Sequence, residues 1–175
     1  MVFSWIVIFA LCVCSTQALN LNYPNGATTQ VTCDKGETQS YQRIGEKYYF
    51  LGEKMSTWFE SAHLCRQFGG DLALIESAKE MDAISTFLKN RRYENIRIWT
   101  SGNDLVEIHK FASLTNGLPL SFTSWSVGQP DNPGIERCVH LWFKDGAFRM
   151  NNWDCPGKAF YLCQRQNYTR CWDGY

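Results

Sequence analysis

The chain has 175 residues and a formal net charge of zero, which predicts one domain after any processing. No stripe of lysine and arginine is present, so the sequence argues against nucleic acid or an anionic membrane as the partner. Seven tryptophans and 15% aromatic residues are ample for a hydrophobic core.

Residues 1–18 indicate a secretory signal peptide. Residues 2–13 are almost entirely apolar. The small residues Thr16 and Ala18 suit cleavage before Leu19. This apolar run is shorter than the about 20 residues that a membrane span needs, and no later run approaches that length. We therefore expect a secreted, extracellular protein without a membrane span.

Cysteine usage agrees with export. Cys12 and Cys14 would leave with the signal peptide, and the six that remain predict three disulfides whose pairing is left open. A zinc site is disfavoured, because no C-x-x-C pair occurs and the three histidines are isolated from one another. Asn167 begins an Asn-Tyr-Thr sequon, which predicts glycosylation. The remaining cysteines are Cys33, Cys65, Cys138, Cys155, Cys163 and Cys171.

The first half of the mature chain is predicted to hold one strand and two helices. Residues 19–40 are polar and turn-rich, as in a flexible arm, and residues 43–51 end in an aromatic run suited to a strand. Ser56 or Thr57 then caps a helix, with Glu60 completing a capping box, and Gly69-Gly70 ends it. Ser77 and Glu80 repeat the pattern before an apolar stripe typical of a helix, made by Met81, Ile84, Phe87 and Leu88.

After Asn90 the helical pattern stops and strands are predicted at residues 96–100, 139–143 and 160–164. Between the first two of these lies a long segment, residues 101–126, with few periodic positions. It exceeds the usual loop length. Such a segment is typical of a functional loop that something else holds in place, and a bound cation would do so.

Hard oxygen ligands are concentrated between Trp125 and Cys155. Ca²⁺ takes six to eight oxygens from carboxylates, amide carbonyls and backbone carbonyls, and this stretch supplies several at close spacing. The simpler interpretation of residues 129–134 alone is a polar surface turn. The oxygen-bearing residues are Gln129, Asp131, Asn132, Glu136, Asn151, Asn152 and Asp154.

The ordered series of motifs resembles the C-type lectin domain family, and specifically its small secreted galactose-type members from insects. The resemblance covers roughly residues 41–165 and implies an α+β double-loop fold with two helices and two small antiparallel sheets. Residues 166–175 would form a tail. The motifs are the Tyr-Tyr-Phe strand, FGGDLALIES from Phe68, WTSGND from Trp99, QPD from Gln129, ERC from Glu136, NNWDC from Asn151 and YLC ending at Cys163.

The resemblance implies two disulfides, Cys65–Cys163 and Cys138–Cys155. The two cysteines left over lead us to expect a third, Cys33–Cys171, that ties the N-terminal arm to the C-terminal tail. Pairing of these two cysteines between molecules is the alternative.

The resemblance also implies one Ca²⁺ site, with a cis peptide bond before Pro130 that points the flanking side chains at the ion. Asn152 departs from the family pattern, which has an aspartate there, and it removes one negative charge. Asp154 could substitute, although the register of the motif argues against it. We expect an affinity at or weaker than about 10⁻⁴–10⁻³ M. The implied ligands are Gln129, Asp131, Glu136, Asn151 and Asn152.

A second ion is not expected. Asp104 matches one ligand of the auxiliary calcium site of the family, but Ile108 and Asn132 stand where further acids would be needed. Isoleucine offers no ligand atom, so we interpret Asp104 as a turn residue.

The order Gln-Pro-Asp implies a preference for galactose or N-acetylgalactosamine, with Gln129 donating to a sugar hydroxyl and Asp131 accepting from one. Glu136 and Asn151 complete the implied sugar-binding set. Trp153 is a candidate to stack on the apolar face of galactose, and a structural wedge under the loop is its alternative role. The tryptophans expected in the core are Trp58, Trp99, Trp125 and Trp142.

These expectations favour a secreted, Ca²⁺-dependent lectin that binds galactose-containing glycans on cell or microbial surfaces in innate immune or extracellular recognition. The alternative is a calcium-independent module that binds protein or another surface. A hydrolase is disfavoured, because no nucleophile, histidine and acid are visible in a catalytic arrangement.

Overall fold

A computed structural model describes residues 40–131 and 134–165. The predicted signal peptide, the N-terminal arm, Asn132, the Cys33–Cys171 pair and the Asn167 sequon lie outside the described residues. Within them, no helix is both long and apolar enough to cross a membrane.

The described residues form two helices and eight strands. In chain order they are β1 (Gln42–Ile44), β2 (Lys47–Ser56), α1 (Trp58–Gln67), β3 (Gly70–Leu72), α2 (Ala78–Asn90), β4 (Ile98–Asn103), β5 (Ala112–Ser113), β6 (Glu136–Lys144), β7 (Ala147–Asp154) and β8 (Ala159–Arg165).

Both helices begin at the predicted caps. At α1 the box is complete: Glu60 N donates to Thr57 Oγ1 at 3.2 Å and Thr57 N donates to Glu60 Oε2 at 2.8 Å. At α2 only half of it forms, because Glu80 N donates to Ser77 Oγ at 3.2 Å while Glu80 Oε2 accepts from the backbone of Glu76 instead. The Glu80 carboxylate also binds Lys47 at 2.9 Å, which draws it towards β2.

The expected antiparallel strands are present, and a short parallel pairing joins them into one mixed sheet. One set is β1, β2, β8 and β3, and the other is β5, β4, β6 and β7. The junction pairs Ile98 with Phe160 and Trp99 with Tyr161. The predicted strand at residues 43–51 is a hairpin instead, because Gly45 turns the chain at φ +62°.

Strand β7 was not predicted from the sequence, and it carries half of the candidate site. It follows β6 through the two-residue turn Asp145-Gly146, where both residues have positive φ and Lys144 pairs with Ala147. An Asp-Gly pair between two strands is a strong hairpin signal. The register of the hairpin places Asn151 opposite His140.

Two clusters of buried residues make the core. The larger one packs α2 against the sheet through residues such as Met81, Ile84, Leu141 and Phe148. The smaller one holds both described disulfides, Cys65–Cys163 and Cys138–Cys155, which confirms the pairing that the resemblance implies. Trp58 and Trp99 are core residues as expected, and Trp125 and Trp142 are half-buried.

The side chain of Tyr41, near the start of the described domain, reaches Gly70 beside the end of β8. Gly70 pairs with Arg165 at the end of β8. A Cβ at position 70 would collide with the hydroxyl of Tyr41 and with the carbonyl oxygen of Gln164. Glycine is therefore required here, because the Tyr41 hydroxyl and the backbone of β8 leave no room for a Cβ.

Candidate functional site

The candidate site lies where the loop at residues 126–131 meets the β6–β7 hairpin. Ser126 N donates to Met150 O at 2.9 Å and Met150 N donates to Ser124 O at 2.8 Å, and these two bonds dock the loop on the edge of β7. Within the loop, Gln129 N donates to Ser126 O at 3.0 Å. The peptide bond between Gln129 and Pro130 is cis, as the resemblance implies.

Gln129 and Asp131 flank this proline. Asp131 N donates to Gln129 Oε1 at 3.3 Å. Gln129 is half-buried and Asp131 is exposed. Asp131 is therefore open to solvent, beside the Gln129 side-chain amide that its own backbone N–H holds.

Glu136 begins β6 and stands opposite Asp154 in the hairpin. Partial burial raises the pKa of Glu136, and the negative charges of Asp131 and Asp154 raise it further, while Arg97 opposes them. The carboxylates of Glu136, Asp131 and Asp154 therefore lie close enough to repel one another, and a bound cation would reduce this repulsion. The strand register brings Asp154 closer to this cluster than the motif alone suggested.

Carboxylates alone do not complete a cation site. Among residues 40–131 and 134–165, no three histidine, cysteine, aspartate or glutamate side chains are arranged to hold a metal ion. A cation bound here would draw on amide and backbone oxygens as well, which is the ligand chemistry that Ca²⁺ accepts.

Asn151 and Asn152 supply the amides, and they differ in their contacts. Neighbouring residues of a strand point to opposite faces. Asn152 is fully buried, and its Nδ2 donates to Glu136 O at 3.1 Å. Asn151 is 7% exposed and its Nδ2 lies 3.1 Å from His140 Nε2. The Asn152 amide therefore contacts the start of β6 at Glu136, whereas the Asn151 amide contacts His140 further along the strand.

The side-chain oxygen of Asn151 is the most informative atom of the site. This Oδ1 is buried and accepts no hydrogen bond from any described residue. A buried acceptor without a donor costs roughly 1–3 kcal/mol, so native proteins rarely keep one without a reason. An amide oxygen is a suitable Ca²⁺ ligand, and the donor set around it fits a hard cation.

His140 was not singled out from the sequence as part of the site. It is fully buried, and burial lowers its pKa to about 4. Its ring packs edge-on against Trp99, Trp142 and Trp153, with centroids 5.8 Å apart in each pair. The available signal was a histidine inside the apolar run Val-His-Leu-Trp-Phe, where an unpaired imidazole would be costly.

Trp153 is packed closely by its neighbours. The indole of Trp99 stacks on its ring with the centroids 5.3 Å apart, and the guanidinium of Arg97 lies over the ring, 4.5 Å from its centroid. Gly157 packs so close to the ring that a Cβ there would collide with it. This packing favours the structural role of Trp153 over the role of a sugar-stacking residue.

Asp104 does more than shape a turn. It accepts a bond from His109 N at 2.8 Å, and the same oxygen pairs with Arg137 at 3.1 Å. Its side chain is fully buried, and Ile108 is 57% exposed. The interpretation as a simple turn residue was too narrow, because the carboxylate also joins this turn to β6.

Comparison with known proteins agrees with this architecture. A family model described as the lectin C-type domain matches residues 54–165. C-type lectin 37Db of Drosophila melanogaster is 38% identical over 122 residues, which are 69% of this chain and 79% of that protein. The galactose-specific lectin nattectin of Thalassophryne nattereri is 29% identical over 159 residues, 90% of this chain and 94% of that protein.

A solved structure supports the same fold. The C-type lectin CEL-I from Cucumaria echinata superposes with a TM-score of 0.64 at 22% identity, covering 78% of this chain and 97% of that one. The fold, the two disulfides and the match of the family model over most of the described residues lead to one conclusion: the chain belongs to the C-type lectin domain family.

Proposed function

We propose that this carbohydrate-binding C-type lectin domain works as a secreted, Ca²⁺-dependent receptor for galactose-containing glycans on cell or microbial surfaces, in innate immune or extracellular recognition. One observation carries the calcium part of the proposal. The unpartnered Oδ1 of Asn151 lies on the hairpin strand that also pairs with Glu136, whose pKa is raised by burial and by neighbouring negative charge.

The ion would be held by oxygens from both sides of the site, and when bound it would accept two neighbouring hydroxyls of a sugar. Gln129 offers an amide donor and Asp131 a carboxylate acceptor for those hydroxyls. This order supports galactose, and the relative nattectin is named a galactose-specific lectin. The proposed ligands are Gln129, Asp131, Glu136, Asn151 and Asn152.

The proposed partner follows from the weakness of a single site. A shallow site for one monosaccharide has a dissociation constant of about 1 mM, and only Asp131 and Glu136 among the proposed ligands carry charge. Useful binding then requires several sites to engage at once. Dense arrays of galactose-containing glycans satisfy this requirement, whereas free sugar does not.

Affinity chromatography tests the proposal. In calcium-containing buffer, we expect galactose-agarose to retain the protein and mannose-agarose to retain it less, and we expect chelator to elute it. Asp131→Asn should flow through, because it removes a charge from the ion and an acceptor from the sugar. The matched control is Asp82→Asn, which makes the same substitution at an exposed residue of α2. This variant should be retained. Retention that persists in chelator would contradict the proposal.

A calcium-independent module that binds protein is the second candidate. An open groove of about 450 Å³ runs beside α1, and its apolar lining includes Phe59, Leu105, Val106 and Leu114. Val106 is 97% exposed. Such a surface suits a protein partner. Chelator-resistant binding to a cell surface that is lost in Val106→Asp would favour this candidate.

A further inference from the structure

His140 and Asn151 face each other across the β6–β7 hairpin. They are direct partners in the strand register, and both are buried. His140 makes two polar contacts. Its Nδ1 lies 3.1 Å from Leu141 O, and its Nε2 lies 3.1 Å from Asn151 Nδ2.

These contacts determine which atom donates in each bond. A carbonyl oxygen only accepts, so Nδ1 must carry the hydrogen that it donates to Leu141 O. A neutral imidazole has one N–H, and a fully buried ring whose two polar partners are uncharged is neutral because nothing balances a charge there. Nε2 is therefore an acceptor, and only the amide nitrogen of Asn151 can donate to it. The reversed amide would set two lone pairs against each other.

The histidine is itself held in place. The rings of Trp99, Trp142 and Trp153 pack against it at interplanar angles of 90°, 85° and 70°. This packing holds the imidazole in the orientation in which Nδ1 meets Leu141 O and Nε2 meets Asn151 Nδ2.

Fixing the amide nitrogen also fixes the amide oxygen. With Nδ2 committed to His140, Oδ1 is the end of the Asn151 side chain that stays buried without a donor among the described residues. We infer that His140 is a positioning residue: it turns the Asn151 amide so that its oxygen, and not its nitrogen, would be presented to a calcium ion. This inference rests on the proposed function.

Two substitutions of His140 distinguish its proposed role in orienting the Asn151 amide from its role in packing the core. His140→Phe keeps a ring of similar shape but offers no acceptor. His140→Gln places an amide oxygen near the position of Nε2. Calcium affinity is measured by isothermal titration calorimetry at neutral pH, and thermal unfolding in chelator checks that each variant folds.

We expect His140→Phe to weaken calcium binding roughly 10-fold, as is typical when a residue that orients a ligand is removed. His140→Gln should recover most of the affinity. In an Asn151→Ala background, His140→Phe should have no further effect, because the two residues act as one unit. Wild-type calcium affinity in a folded His140→Phe variant, or an equal loss in the Asn151→Ala background, would overturn the inference.

A second measurement needs neither a variant nor the ion. Nitrogen-15 NMR of the calcium-free wild-type protein should show His140 protonated at Nδ1 and unprotonated at Nε2. A proton on Nε2 would overturn the inference and leave the proposed function standing. If the wild-type protein binds no calcium at all, the proposed function fails, and the inference fails with it.

Discussion

A neutral histidine among three indole rings makes the stability of the domain depend on pH. His140 has a pKa of about 4 in the folded protein, chiefly because of burial, against about 6.5 in an unfolded chain. Between these values the unfolded state holds a proton that the folded state does not. The free energy of unfolding should therefore fall as the pH decreases from about 6.5 towards 4, by up to about 1.4 kcal/mol per pH unit.

Urea denaturation in chelator at pH 7, 6 and 5 measures this effect. His140→Gln should remove most of the loss of stability over this range. His63→Gln, at an exposed position, should keep it and serves as the matched control. If the stability of His140→Gln fell with pH as steeply as that of the wild-type protein, other titratable groups would be responsible for the pH dependence.

The residues of the candidate site were predictable to different degrees. Gln129, Asp131 and Glu136 follow from ligand chemistry and from motifs that are local in the chain. The surroundings of Trp153 do not, because Trp99 comes to it from β4 and Arg97 from the position just before β4. His140 was hidden for the same reason: its partner Asn151 lies on a strand that the sequence did not predict.

Helix caps are the elements for which local sequence and structure agree best. Thr57 makes a reciprocal box and Ser77 a single bond. We expect Thr57→Ala to lower the free energy of unfolding by about 1 kcal/mol or more, and Ser77→Ala by less, because a lost cap leaves a backbone N–H unsatisfied. Urea denaturation at pH 7 distinguishes them.

Thr86→Ala controls for helix propensity. Thr86 is exposed inside α2, where alanine should be neutral or slightly stabilising. A Thr57→Ala protein as stable as the Thr86→Ala protein would contradict the importance assigned to the box.

Strands were harder to predict than helices. The Asp145-Gly146 turn marks the β6–β7 hairpin, yet β7 carries Asn151 and Asn152, and asparagine is depleted in strands. Its pairing with β6 and the docked loop on its edge override that weak preference. β3 has only three residues, too few for any alternation to be visible.

At the scale of the molecule, two disulfides close loops of very different length. Cys65 and Cys163 are 98 residues apart and Cys138 and Cys155 are 17 apart. On the chain-entropy model, replacing both cysteines of one disulfide with alanine should lower the free energy of unfolding. The expected loss is about 4–5 kcal/mol for the long loop and about 3 kcal/mol for the short one. Both pairs lie in one core cluster, so each serves as the control for the other.

Chemical denaturation of the two double variants decides the order. The short-loop variant should be the more stable one. The reverse order would mean that packing around Cys138 and Cys155, and not the length of the closed loop, dominates their contribution.

The overall fold was predictable because its motifs occur in one order along the chain. The parallel junction between β4 and β8 was not, since it joins distant segments through only two residue pairs. Nothing local to Ile98 or Phe160 distinguishes a parallel neighbour from an antiparallel one.

The pairing of β1, β2 and β8 has a consequence for how such a domain can be attached to other chains. Gln42, where the described strands begin, and Gln164, near their end, both pair with Tyr49 of β2, so they lie two strand spacings, about 10 Å, apart. A domain with adjacent ends can be inserted into a host protein without stretching it.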